Sequence, residues 1–266
     1  MPANPLVDAL RERQTEELGS LLAYLMVDAA RSRALPGLAR ACREAGVTAL
    51  ELGFPFSDPI ADGPVLQAAA SRALEHGTTW ADLLEAVRTT SRMLPVAVMT
   101  YANPVLHHGL DAACHAIRTA GGSGLIVPDL SFEESGPWRT ATQRAGVALV
   151  QMGSPATSVD RMKALARSSS GFLYLVSRFG ITGRGHRSGE SVLRSLVDAA
   201  HGARPNLPVL VGFGIRTPAD LDSLAQTGAD GFIIGSAVEE VLSRSADPVR
   251  LRRFLEPLAR RARLGL

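Results

Sequence analysis

Lysine is nearly missing from this chain of 266 residues: of 28 basic residues, only Lys163 is not arginine. A Schiff base to a carbonyl substrate, or covalently held pyridoxal phosphate, needs a lysine amine at the reacting centre. Lys163 lies in Asp160-Arg161-Met162-Lys163-Ala164-Leu165-Ala166, a helical pattern well past the nearest strand end. Neither chemistry is expected, and no cofactor is. Cysteine is also scarce. Cys42 and Cys114 sit in helical patterns and make no disulfide framework, so they read as reduced, partly buried fillers of a cytoplasmic protein.

Of six scattered histidines, only His107 and His108 are close. Adjacent loop residues rarely supply two metal ligands, and neither His-Glu-x-x-His nor Cys-x-x-Cys occurs. No metal site is expected, and the pair reads as solvated loop residues. No apolar run approaches membrane-spanning length, and the N-terminus lacks the layout of a signal peptide. The net charge is +2 with pI about 8.8, yet no basic run or aromatic-interleaved basic patch appears. Neither a membrane nor a nucleic acid is an expected partner.

What is present is an apolar content of 46%, enough for a substantial core. A short amphipathic helix over 5–18 (Leu6, Leu10 and Leu18 on one side) precedes the strand Leu21–Val27. Seven further apolar runs follow, through Val47–Leu52, Pro95–Tyr101, Gly124–Asp129, Val147–Met152, Phe172–Val176, Pro208–Gly212 and Gly231–Ile234, with helical patterns between them. Continuous rather than alternating apolarity predicts parallel strands covered on both faces. Eight βα units in this length predict an α/β fold, a (β/α)8 TIM barrel with an extra N-terminal helix, as a single domain over 1–266. A doubly wound open sheet would usually carry a Gly-rich turn after the first strand, and Leu25-Met26-Val27-Asp28-Ala29-Ala30 has none.

Such a barrel concentrates function at the C-terminal ends of its strands. The second strand ends in Leu50-Glu51-Leu52-Gly53-Phe54-Pro55-Phe56-Ser57-Asp58-Pro59-Ile60-Ala61-Asp62-Gly63-Pro64. Burial of Glu51 in an apolar strand raises its pKa and suits it to proton transfer near neutrality. Asp58 and Asp62 equally suit the bonding of turn amides beside Pro and Gly. The strand-three end gives Tyr101 and Asn103, strand four Asp129, and strand six Tyr174. In the last loops Gly183, Gly212, Gly214 and Gly235 let backbone amides approach an anion, and Ser236 opens a helix with unpaired amides. Gly-x-Gly followed one strand later by Gly-Ser reads as a phosphate site.

The Glu51 stretch resembles, over fifteen consecutive residues, the signature of the tryptophan synthase alpha subunit family, TIM-barrel lyases of indole-3-glycerol phosphate. Tyr101-Ala102-Asn103-Pro104, Tyr174-Leu175-Val176-Ser177-Arg178, Ile181-Thr182-Gly183, Gly212-Phe213-Gly214-Ile215 and Gly235-Ser236-Ala237 extend the resemblance along the chain. It implies Glu51 and Asp62 as the catalytic pair. It also implies an indole pocket drawing on Tyr24, Tyr101, Tyr174 and Phe213, and Thr182 on a mobile loop closing over Asp62. Asp62 is expected to stay ionised in its polar loop. The implied partner is a pyridoxal-phosphate beta subunit, contacted by a loop that includes Pro55 and Asp58. One departure is clear: the family's Thr-Ala-Gly-Asp-Pro after the first strand is Met26-Val27-Asp28-Ala29-Ala30 here. That change leaves room for a paralogue releasing free indole, or for a silent subunit that activates a partner, although intact Glu51 and Asp62 oppose the latter.

Overall fold

The computed structural model describes residues 3–177, 186–212 and 214–263. Eight parallel strands close into a barrel in sequence order. They are β1 Ser20–Met26, β2 Ala49–Gly53, β3 Val96–Met99, β4 Gly124–Ile126, β5 Ala148–Gly153, β6 Leu173–Val176, β7 Val209–Gly212 and β8 Gly231–Ile234. Helix α1 (Pro5–Thr15) precedes the barrel. Between strands lie α2 (Leu35–Ala45), α3 (Pro64–Glu75), α4 (Trp80–Thr90), α5 (Ala102–His107), α6 (Leu110–Thr119), α7 (Ser135–Ala145), α8 (Val159–Ser168), α9 (His186–Ala203) and α10 (Pro218–Ala225). After β8 come α11 (Ser236–Arg244) and α12 (Pro248–Arg263). Among the described residues, no helix is long and apolar enough to cross a membrane.

The two-residue period of a strand sorts the core into two populations. Leu22, Tyr24, Met26, Ala49, Ala97, Met99, Ile126, Val150, Phe172, Tyr174, Leu210 and Ile233 fill the barrel. Leu21, Ala23, Leu25, Leu50, Leu52, Val96, Val98, Leu125 and Leu149 face the surrounding helices. Both faces are therefore dry, which accounts for the unbroken apolar runs.

The barrel floor is closed by α1. The Asn4 side chain accepts from the Leu6 and Val7 amides and so caps the helix, while its Nδ2 donates to the carbonyls of Ser123 (2.9 Å) and Gly146 (3.2 Å). Leu6 and Leu10 then reach the barrel interior. The helix stops at Thr15, short of the expected 18: Glu17 adopts φ +56°, and Leu18 lies past the end.

The third strand also differs from expectation, ending at Met99. Tyr101 is extended (φ −80°, ψ 164°) and precedes α5, a helix the periodicity did not reveal. Pro104 is its third residue, where the helix requires no amide donor. His107 and His108 consequently end a helix rather than sit in a loop, and the His108 ring stacks on Trp80 with centroids 4.6 Å apart. Cys42 and Cys114 are free and fully buried, not partly so. Lys163 pairs with Asp160 on the outside of α8.

Candidate active site

Glu51 shares the inward side of β2 with Ala49 and Gly53 and is only 1% exposed. Tyr24 of β1 and Ala97 of β3 flank it in register. Its Oε2 is buried and has no hydrogen-bond partner among the described residues. Burial first, then the charge of Asp62, push the Glu51 carboxyl up to about 8. A lone acid in an apolar barrel holds its proton because the anion would lose its hydration.

Asp62 comes from the turn that closes the β2–α3 loop, where its amide donates to the Pro59 carbonyl. The Tyr101 hydroxyl donates to Asp62 Oδ2 (3.1 Å) and accepts from the Ala61 amide (3.0 Å). That ring is held by Phe56, stacked at 5.2 Å. Among the described residues, no group bonds the buried Asp62 Oδ1. The loop is less polar around Asp62 than its composition suggests. Burial lifts the carboxyl to about 6, with the Tyr101 bond acting in the opposite sense. Among the described residues, that hydroxyl rather than a polar loop favours its ionised form. Asp58 is exposed and takes its neighbour's Ser57 hydroxyl at 2.5 Å. Pro55 is buried.

Two tyrosines line the barrel beside Glu51. Tyr24 and Tyr174 are 3% and 4% exposed, and burial raises both phenol pKa values, so both remain neutral. Each occupies space that a glycine on the next strand leaves open. A Cβ on Gly53 would stand 1.9 Å from the Tyr24 hydroxyl oxygen, and one on Gly212 would stand 2.5 Å from that of Tyr174. Gly212, read from sequence as an anion cradle, thus has a packing reason of its own. Gly214 has φ +81°, a conformation that only glycine adopts at little cost. Gly235 precedes α11, whose first turn, starting at Ser236, is capped by no side chain among the described residues. Thr182, Gly183 and Phe213 lie outside the described residues.

Asn103 is exposed on α5, and Asp129 accepts from the Ala102 amide (2.9 Å) at the start of that helix. Neither is hydrogen-bonded to Glu51. One cluster above β1 leaves no local signal in the sequence. Glu239 on α11 is fully buried, accepting from the Met26 amide (2.8 Å) and from Arg31 (2.8 Å). Arg31 also approaches Asp28 (3.7 Å), whose other oxygen meets His76 Nδ1 (2.8 Å). A Glu-Glu pair in an amphipathic helix reads as a solvated face, and nothing local distinguishes Glu239 from Glu240. Among the described residues, no group of three His, Cys, Asp or Glu is arranged to hold a metal ion.

Comparison with known proteins places the chain in a family. Residues 10–256 match the family model for the tryptophan synthase alpha chain. The tryptophan synthase alpha chain of Gloeobacter violaceus is 41% identical over 213 residues, 79% of this chain and 76% of that protein. That of Methanosarcina mazei is 35% identical over 259 residues, 97% and 92% of the two chains. A crystal structure of Mycobacterium tuberculosis tryptophan synthase superposes with a TM-score of 0.86 at 33% identity, covering 99% of this chain and all of the other. The chain belongs to the tryptophan synthase alpha chain family, lyases that cleave indole-3-glycerol phosphate.

Proposed function

We propose that the chain cleaves indole-3-glycerol phosphate to indole and glyceraldehyde 3-phosphate, with Glu51 as the acid and Asp62 as the charge-stabilising anion. The observation that carries this assignment is a protonated carboxyl inside the barrel, its Oε2 unpartnered among the described residues, coupled to a second carboxylate at the barrel mouth. Two carboxyl groups whose environments separate their pKa values take opposite roles.

Carbon–carbon cleavage needs an electron sink, and the substrate's ring supplies one. Glu51 donates its proton to the indole carbon bearing the glycerol chain, and positive charge develops at the ring nitrogen. Asp62, bonded on one side to Tyr101, presents its buried Oδ1 to that N–H. A base removes the proton of the adjacent chain hydroxyl, for which Glu51, now ionised, is available. The C–C bond then breaks, its electron pair restores the aromatic ring, and the carbinol carbon leaves as an aldehyde. Tyr24 and Tyr174, with Phe213, are the expected walls for the indole. Gly183, Gly212, Gly214, Gly235 and Ser236 are the expected phosphate cradle, supported by the uncapped α11 N-terminus and the conformation of Gly214. Thr182 is the expected loop partner of Asp62.

The family's partner is a beta subunit, and the loop bearing Pro55 and Asp58 is the contact we assign to it. Tryptophan biosynthesis, the pathway this family serves, supports cytoplasmic residence. Glu51→Gln and Asp62→Asn are each expected to reduce turnover of indole-3-glycerol phosphate by at least ~10²-fold while retaining glycerol 3-phosphate binding. Near-normal turnover in either variant would remove the assignment.

A further inference from the structure

The cluster above β1 bears on the phosphate site through charge. Val27 N donates to Gly53 of β2, so alternation turns the Met26 amide toward β8. Pairing of β1 with β8 has ended by then, its last pair being Ala23 with Ile234. Glu239 supplies the acceptor that β8 no longer provides, reaching back from the first turn of α11. The arrangement satisfies the strand end but places a fully buried carboxylate in the turn whose amides are to receive phosphate. Ser236 and Glu239 are three residues apart, roughly 5 Å along the helix axis. The negative charge of Glu239 is felt inside the barrel, where it contributes to raising the Tyr24 phenol.

We infer that Arg31 is a positioning residue whose charge offsets Glu239, so that the α11 N-terminus remains attractive to a phosphomonoester dianion. This inference rests on the phosphate reading of that terminus. Arg31 bonds the Glu239 oxygen left free by Met26, and its own chain segment is fixed by Asp28, which His76 holds from the end of α3. Arg31 touches no expected substrate atom and acts through Glu239. The family's motif after the first strand is altered here at the residues bracketing this device: Met26 offers its amide to Glu239, and Asp28 orients Arg31.

The test is calorimetric titration of the full chain with glycerol 3-phosphate, in wild type, Arg31→Met, Glu239→Gln and the double variant, alongside steady-state kinetics. Like charges this close in a partly buried setting predict that Arg31→Met binds at least ~10-fold more weakly. Its KM for indole-3-glycerol phosphate should rise by a similar factor, with kcat changed much less. Glu239→Gln should bind as tightly as wild type or more tightly. The double variant should return to within ~3-fold of wild type, because both charges are gone. A double variant as weak as Arg31→Met would reduce Arg31 to a structural strut and overturn the inference, as would an unaffected Arg31→Met. Should Arg31→Met fail to fold, a folded Glu239→Gln that binds more weakly than wild type overturns it equally. A wild type that binds no phosphomonoester refutes the phosphate reading itself, which is a separate failure.

Discussion

With Glu51 near pKa 8 and Asp62 near 6, the pair is poised as one acid and one anion only between those values. The rate of indole release, as kcat/KM, is therefore expected to be bell-shaped, with limbs near pH 6 and pH 8 that belong to the coupled pair. Asp62→Asn should remove the acid limb and Glu51→Gln the alkaline one, in the residual activity of each. Stability must follow the same shift. Unfolded, Glu51 loses its proton near 4.5, whereas the folded protein retains it to about 8. Between those values the native state binds more protons than the unfolded state, so this residue's effect on stability worsens as pH rises. Glu51→Gln, neutral throughout, is thus expected to gain stability relative to wild type as pH is raised from 5 to 8. Urea melts at both pH values measure it, and a constant difference between the two proteins would contradict the burial assigned to this carboxyl.

Strand ends are where a glycine and a tyrosine exchange space across the barrel. Gly53→Ala would drive a Cβ to 1.9 Å from the Tyr24 hydroxyl oxygen, at a position where backbone and ring are both enclosed. Overpacking of this kind costs about 1–3 kcal/mol. We expect Gly53→Ala to lose that much in urea unfolding and to regain most of it in a Tyr24→Leu background. At this scale the sequence was only partly legible. Apolar runs marked all eight strands because both of their faces are dry, and Glu51 stood out as the charge within one of them. Helix α5 went unseen because six residues give no periodicity and Pro104 reads as a breaker until its place in the first turn is known. The Tyr101–Asp62 bond, which offsets the burial of Asp62, joins residues 39 apart and leaves no local trace. The same holds for Arg31 and Glu239, which lie 208 apart: a buried ion pair is legible only once the barrel has closed.

For the whole molecule, the open matter is what limits turnover when the chain acts alone. The barrel places the chemistry at its mouth, and the rim there is unusually apolar: Ile60 is 81% exposed and Leu106 52%, on the loop and short helix adjoining Asp62 and Tyr101. Exposed apolar residues beside the loop proposed to carry Asp62 into the reaction are suited to cover by another protein. Asp58 lies two residues from Ile60, exposed, and held by Ser57 rather than by Asp62 or Tyr101. Its side chain can therefore respond to a partner without contacting the reacting atoms. A partner that holds the 54–63 loop with Asp62 bonded to Tyr101 would raise the rate without adding a catalytic group, since positioning alone is worth orders of magnitude. We expect indole release by the purified chain to be slow and to rise at least ~10-fold with a tryptophan synthase beta subunit. Asp58→Ala should leave the slow basal rate within about twofold and lose most of that rise. Rapid release by the chain alone, unchanged by the beta subunit, would instead identify a lyase whose loop is already ordered, and would withdraw Asp58 and Pro55 from the contact assigned to them.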